Sequence, residues 1–323
     1  MRAICIRETG GPEQLKLESQ AEPSAGEGQV VIAVEAVGIN FIDIYNRIGL
    51  YAREMPFVAG AECAGRVTQV GEGVFDFKLG DRVATAQADG AYAEFTTAAA
   101  SKVVRLPETV TFEHAAALTL QGCTAHYLAC DTFQLKAGDV ALVHAAAGGV
   151  GLLLTQIAKH RGARVIAVIG SEQKMAVVRD AGADEIIVSS AEDFSTAARR
   201  LTAGRGVDVV YDSVGRATFD GSLACLRPRG MFVSYGNSSG PAPQISPLSL
   251  MERGSLFFTR PTLGHYTATQ LDLQARADDL FRWVQAGWLK VHIGGVFPLA
   301  EAAEAHRALE SRKTSGKLLL VIR

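Results

Sequence analysis

The sequence predicts an α/β protein in which a doubly wound parallel sheet is joined to a β-rich domain. Three observations predict it. The apolar run Val140–Val143 enters a turn of alanines and glycines and emerges as an apolar helix. From about residue 123 to 262, strand-like and helix-like segments alternate, the pattern of a parallel sheet with crossover helices. Both ends of the chain instead carry short apolar runs between turn signals.

Residues 1 to about 122 read as short strands near 3–6, 30–37, 66–70, 82–85, 92–97 and 102–106. Gly10-Gly11-Pro12, Gly26-Glu27-Gly28 and Gly71-Glu72-Gly73 punctuate them. Such brevity suits a barrel-like or sandwich domain. Thr111 is placed to cap a helix over 115–120, and Gly122 is expected to break it before 124–130.

The parallel sheet is expected from strands at 140–144, 164–169, 186–188, 207–211, 230–235 and 255–259. Helices near 149–160, 172–181, 192–202 and 216–226 connect them. In the last, Phe219, Leu223 and Leu226 share one helical face. Helices near 270–286 and 299–311 then bracket a strand at 291–296, and 317–322 forms a final strand that returns to the first domain. The expected division is therefore 1–122 with 263–323, and 123–262 inserted between them.

The turn after Val143 is an anion site by physics. The first N–H groups of a helix lack intrahelical partners, and the helix dipole puts partial positive charge there. Ala145, Gly148 and Gly151 stand where a dinucleotide fingerprint places glycine, so no bulky Cβ obstructs a pyrophosphate. Gly148, Gly149 and Val150 are its expected contacts. An enzyme selecting NAD carries an acid at the end of the second strand to hold the ribose hydroxyls. Here that end reads Gly170-Ser171-Glu172-Gln173-Lys174. A hydroxyl and an ammonium suit a 2′-phosphate, so the expected cofactor is NADPH, held by Gly170, Ser171 and Lys174. Glu172 complements a helix dipole.

Composition narrows the class. The chain has 323 residues, 48% hydrophobic and 20% charged, ordinary globular material with no run long enough to span a membrane. The start is too short a hydrophobic stretch for a signal peptide, and the cytoplasm is the expected location. Five scattered cysteines, none in a Cys-x-x-Cys pair, and seven histidines without metal-binding spacing argue against disulfides and structural zinc. Cys63, beside Ala64 and Gly65, reads as a small packed residue. A net charge of −2 with no basic run longer than two residues shows no footprint for nucleic acid.

Several stretches together resemble the zinc-free, zeta-crystallin-like quinone oxidoreductases of the medium-chain dehydrogenase/reductase superfamily. They are Asn40-Phe41-Ile42-Asp43-Ile44-Tyr45, Gly138-Asp139, Ala146-Ala147-Gly148-Gly149 with Gly151, Gln156 and Lys159, Val209 to Arg216, Tyr235 to Gly240, and Thr259-Arg260-Pro261. The resemblance covers essentially the whole chain. It implies a GroES-like catalytic domain, a Rossmann domain, an active site in the cleft between them, and a homodimer joined through the Rossmann sheets, with the edge strand near 255–259 able to pair across a two-fold axis. Where zinc alcohol dehydrogenases carry Gly-His-Glu, this chain reads Gly60-Ala61-Glu62, and their earlier cysteine ligand falls near Asn40. Two ligands of a catalytic zinc are thus absent, which points to reduction of an acceptor that is already electrophilic.

The expected reaction is hydride transfer from NADPH to a quinone. The resemblance places Asn40, Asp43, Tyr45 and Tyr51 at the catalytic cleft, with Asn40 and the two tyrosines as donors to the developing oxyanion and Asp43, unable to donate while ionised, orienting a neighbour or contacting the cofactor. It also assigns Phe41, Tyr45, Tyr127, Ser189, Ser213, Gly236, Asn237, Ser238, Arg260 and Arg312 to the cofactor. Ser189 replaces an aromatic side chain common in the family at that strand end. Two other functions share these features: reduction of the double bond of an enone or alkenal, and a nucleotide- or RNA-binding, crystallin-like role.

Overall fold

The computed structural model describes residues 1–322. It consists of two compact units, Met1–Cys123 with Thr267–Gly287 and Val291–Arg323, and Thr124–Tyr266 with Trp288–Lys290.

The first unit contains strands β1 (Arg2–Ile6), β2 (Lys16–Ser19), β3 (Gln29–Ile39), β4 (Phe57–Val58), β5 (Glu62–Val70), β6 (Arg82–Thr85), β7 (Phe95–Ala99) and β8 (Val103–Arg105). The second contains β9 (Val140–Val143), β10 (Arg164–Ile169), β11 (Glu185–Val188), β12 (Val207–Asp212), β13 (Leu226–Ser234) and β14 (Phe257–Thr259). The chain then returns to the first unit with β15 (Ile293–Pro298) and β16 (Lys317–Val321).

In the first unit, seven strands form one sheet, ordered β15-β16-β3-β5-β6-β8 with β7 also on β3, and β2-β1-β4 form a second. The long strand β3 is the hub. Its first half, Gln29–Ala33, pairs with β7, and its second half, Ala36–Ile39, pairs with β16 on the same side. A barrel core around Ile4, Val37, Ile39, Tyr92, Leu299, Leu318 and Leu320 follows from this closure. Helix α1 (Phe41–Arg47) leaves β3 directly, with Asn40 as its N-cap, and buries Asp43, Ile44, Tyr45 and Arg47.

In the second unit all pairings are parallel, in the order β11-β10-β9-β12-β13-β14. The order reverses between β9 and β12, the switch point at which such sheets bind ligands. β14 is an edge strand, and Phe257 on it is exposed. The elements expected from sequence are present with shifted ends. The strand near 92–97 begins at Phe95, because Tyr92 N–H bonds Ala59 rather than a strand partner. The helix near 172–181 is a 3-10 turn over Glu172–Lys174 followed by Met175–Asp180. The strands β2 and β4 and the short helices Pro247–Glu252 and Leu263–Tyr266 were not legible, since so few residues establish no period. No helix among the described residues is long and apolar enough to cross a membrane.

One expectation is corrected. Gly122 does not break a helix; α2 (Phe112–Tyr127) runs straight through it. The glycine is there for packing. A Cβ at position 122 would lie 3.0 Å from Leu280 and 3.2 Å from Leu118, so its absence lets the helix Gln270–Gln285 settle against α2. Gly122→Val should therefore overpack this contact and lower the unfolding free energy by about 1–3 kcal/mol, measured by denaturant unfolding; an unchanged midpoint would show that Leu280 yields freely.

Candidate active site

The second unit brings its sequence-identified residues to one edge. Ala145 to Gly149 follow β9, Gly170 to Lys174 follow β10, and Ser189 follows β11. Ser213 follows β12, Gly236 to Ser238 follow β13, and Arg260 follows β14. All six strands are parallel, so every one of these positions lies at the carboxyl edge of the sheet.

At the centre, Gly148 is the N-cap of α3 (Gly149–His160). The first bond into the helix runs from Leu152 N–H to Gly148 O at 2.9 Å, so the N–H groups of Gly149, Val150 and Gly151 lead it. The two fingerprint glycines do different work. A Cβ at Gly151 would stand 2.5 Å from Ala145 O and 2.7 Å from Ala146 Cα, so this glycine closes the turn itself. A Cβ at Gly148 would meet only Ala145 O, at 3.2 Å, a tight contact but far less severe than the clash at Gly151. At β10, a Cβ on Gly170 would meet nothing within 4 Å. Lys174 is half-buried, and burial lowers its ammonium pKa, which a neighbouring phosphate would reverse. Ser189 Oγ donates to Ile169 O at 3.1 Å, tying the β11 end to the β10 end.

The loops after β12 and β13 are zipped together, with Ser238 N–H on Ser213 O at 3.2 Å and Ser239 N–H on Val214 O at 2.8 Å. Buried Asp212 anchors them. One oxygen accepts the N–H groups of Val214 and Gly215 at 2.7 and 2.9 Å, and the other accepts Thr218 and Ser222 hydroxyls at 2.6 and 2.9 Å. This loop is why the helix expected from 216 starts only at Phe219. Tyr127 is buried, its ring stacked on Tyr266 at 4.2 Å. Arg312 belongs to the first unit, where it is exposed at a positive φ of 58°.

In the first unit, Phe41, Tyr45 and Tyr51 come together, with ring centroids 6.1 Å apart for the first pair and 5.4 Å for the second. Asn40 requires a correction. It cannot serve as a donor to a substrate, because its amide hydrogens already go to Gly38 O at 3.0 Å and Glu62 Oε2 at 2.8 Å. Its Oδ1 accepts Lys317 Nζ at 2.7 Å and Gln121 Nε2 at 3.1 Å, so all four hydrogen-bonding positions are spent. Lys317 is fully buried and lies 2.6 Å from Glu62. Burial lowers its pKa and Glu62 opposes that shift. Lys317 Nζ thus sits between Asn40 Oδ1 and Glu62 Oε2. Among the described residues no group of three or more His, Cys, Asp or Glu side chains is placed to hold one. The Cys63 thiol is buried and pushed far up, in keeping with a packed residue.

Burial pushes the Asp43 carboxyl up to about 7, against the opposing bonds from Asn40 N–H at 2.8 Å and Tyr92 hydroxyl at 3.0 Å. Tyr92 Oη lies 3.0 Å from His306 Nε2, and His306 Nδ1 lies 3.1 Å from Arg47 Nη1. Burial, then the Arg47 charge, pushes His306 down to about 3. Sequence reasoning missed Glu62, Gln121 and Lys317 around Asn40, and Tyr92, His306 and Arg47 around Asp43. The one signal was the oddity of a lysine opening the apolar run Lys317–Ile322.

Two family models match the chain: an alcohol dehydrogenase GroES-like domain over residues 26–108 and a zinc-binding dehydrogenase over 181–320. A quinone oxidoreductase of Pseudomonas aeruginosa is 45% identical over 97% of each chain. The chain belongs to the quinone oxidoreductases of the medium-chain dehydrogenase/reductase superfamily. A 2-haloacrylate reductase of a Burkholderia species is 42% identical over 99% of this chain and 98% of its own. The solved structure of an Escherichia coli quinone oxidoreductase complexed with NADPH superposes with a TM-score of 0.97 at 42% identity, covering 99% and 100% of the two chains. Within this family the zinc-binding description belongs to the matched model; here Ala61 and Asn40 stand at the two ligand positions.

Two predictions follow from the geometry. Gly148→Val should abolish NADPH binding in calorimetry while thermal unfolding moves little, whereas Gly151→Val should fail first in stability; equal loss of stability in both would show that the turn, not a ligand, needs Gly148. The second concerns pH. Between about pH 4 and 6.5 the folded chain holds Asp43 protonated and His306 neutral, and the unfolded chain holds the reverse, so the pair binds equal numbers of protons and contributes no slope. Asp43→Asn leaves His306 alone, and stability relative to wild type should fall as pH drops from about 7 to about 4. His306→Gln leaves Asp43 alone, and stability relative to wild type should fall as pH rises from about 3 to about 6.5. Each slope is bounded by about 1.4 kcal/mol per pH unit; parallel profiles for all three proteins in denaturant titrations would rule the assignment out.

Proposed function

We infer that this protein is an NADPH-dependent quinone reductase. The observation that carries the reading is the convergence of the α3 N-terminus, Gly148, Gly170 and Lys174 at the carboxyl edge of one parallel sheet. These residues fit the cofactor. The N–H groups of Gly149 and Val150 suit its pyrophosphate, and Ser171 with Lys174 suits its 2′-phosphate. The loops of Ser213, Gly236, Asn237 and Ser238, with Tyr127, Ser189, Arg260 and Arg312, are its remaining proposed contacts. When bound, NADPH supplies the hydride; the chain orients donor and acceptor and excludes water. Phe41, Tyr45 and Tyr51 form the aromatic wall proposed for the acceptor, with the tyrosine hydroxyls as donors to oxygen.

The similarity to a 2-haloacrylate reductase favours a second reading, hydride delivery to an activated carbon–carbon double bond. Turnover of a quinone panel and an alkenal panel with NADPH separates the two; faster turnover of every alkenal would displace the quinone reading. The cytoplasm and a homodimer paired through the β14 edge remain part of this proposal, the latter supported by exposed Phe257 on that strand. Lys174→Ala should raise KM for NADPH at least tenfold while leaving KM for NADH within about twofold, the loss of one charge-assisted phosphate contact being worth roughly 1.5–3 kcal/mol. Equal effects on both nucleotides would remove Lys174 from the 2′-phosphate.

A further inference from the structure

The residue that ends β9 and leads into the pyrophosphate turn is a histidine with no place among the proposed cofactor contacts. His144 N–H bonds Tyr211 O at 3.0 Å, and the next residue, Ala145, takes a left-handed φ of 48° as the turn begins. The His144 ring is buried, with the Phe194 ring edge-on to it at 4.7 Å. Its Nε2 lies 2.9 Å from Ser222 Oγ, on the helix Phe219–Cys225. Ser222 is buried as well, and its Oγ lies 2.9 Å from Asp212 Oδ2.

The directions along this chain of bonds are fixed. Asp212 accepts at both oxygens, from Val214 and Gly215 N–H on Oδ1 and from the Thr218 and Ser222 hydroxyls on Oδ2. Ser222 has a single hydroxyl hydrogen and gives it to Asp212, so it must accept from His144. The imidazole therefore carries a hydrogen on Nε2. Burial favours its neutral form, against the pull of Asp212.

This bridge crosses the switch point of the sheet. β9, β10 and β11 end in the pyrophosphate turn, Gly170 to Lys174, and Ser189; β12 and β13 end in the loops on the other side. A doubly wound sheet holds one half of a dinucleotide over each side. The two loops on the far side have no slack between them. A Cβ on Gly236 would stand 2.6 Å from Ser213 O, and one on Gly215 would stand 2.3 Å from Gly240 O. A shift of Asp212 therefore moves both loops as one body.

We propose that His144 is a positioning residue which, through Ser222 and Asp212, sets the loops after β12 and β13 against the pyrophosphate turn, so that both halves of one dinucleotide meet their contacts together. The proposal rests on the NADPH reading of this edge. With the bridge cut, the adenosine half keeps its own contacts, while the nicotinamide half meets loops that are no longer held in register. Affinity for the whole cofactor falls, and affinity for its adenosine half does not.

The test titrates NADPH and 2′,5′-ADP, the adenosine half with its 2′-phosphate, into the full-length protein by calorimetry. Ser222→Ala should raise the Kd for NADPH about tenfold and leave the Kd for 2′,5′-ADP within about twofold. His144→Leu should show the same split. His144→Gln offers an amide N–H in place of Nε2–H and should recover most of the NADPH affinity. The double variant His144→Leu, Ser222→Ala should bind NADPH no more weakly than the weaker single variant, since one bridge is lost only once. Equal weakening of both ligands would mean a general loosening of the fold and overturns the proposal, as does unchanged NADPH affinity. Glutamine that performs no better than leucine overturns the role of the Nε2 donor. Wild-type protein that binds neither ligand overturns the NADPH reading instead. The bridge itself is then decided by 15N NMR of the histidine ring in the free protein, where hydrogen on Nε2 of His144 upholds it and hydrogen on Nδ1 alone overturns it. If Ser222→Ala does not fold, the comparison of His144→Leu with His144→Gln reads the same split.

Discussion

A lysine ammonium held away from water, 2.6 Å from Glu62 and 2.7 Å from Asn40, ties the first unit together. Lys317 opens the last strand of the chain, Glu62 opens β5, and Asn40 ends β3 and caps α1. Burying two charges is unfavourable unless each finds its partner, and removing one of them typically costs about 3–5 kcal/mol. The strand from the far end of the chain is therefore required before the loop after β3 can take its shape. Helix α1 carries Phe41, Asp43 and Tyr45, with Tyr51 just beyond it, and its N-cap Asn40 is held by a contact 277 residues apart in sequence.

The same cluster occupies the turn where β3 passes into α1. Asn40 and Ala61 stand at two positions where a zinc enzyme supplies ligands, and Glu62 remains. The positive charge that accompanies Glu62 comes from the chain itself. With its amide fully engaged, Asn40 is a scaffold for α1, and the polar chemistry shifts to the next turn. There Asp43, pushed up by burial, stands at the end of a chain of donors that begins at Arg47.

The two units divide the labour. In the second, Gly151 lets the strand–turn–helix close, and Gly148 keeps side-chain atoms away from the position proposed for a pyrophosphate. Asp212 collects four donors and so holds the loops after β12 and β13 in register beside that turn. In the first, the burial of ionisable groups sets which of them carry protons.

The sequence by itself determined the parallel sheet, its strand-to-helix turn and which residues stand along the carboxyl edge proposed for the cofactor. These are local features: hydrophobic period, a glycine at a fixed offset, a lysine three residues past a serine. It misjudged Gly122, because a glycine that breaks a helix and one that admits a neighbouring helix look alike until Leu280 is in place. Only the tertiary structure decided the chemistry around Asn40 and Asp43. Their partners come from residues 62, 92, 121, 306 and 317, and no spacing rule links positions that meet only when the sheet closes. Burial, which pushes the Asp43 carboxyl up, is likewise a property of the folded chain and of no segment of it.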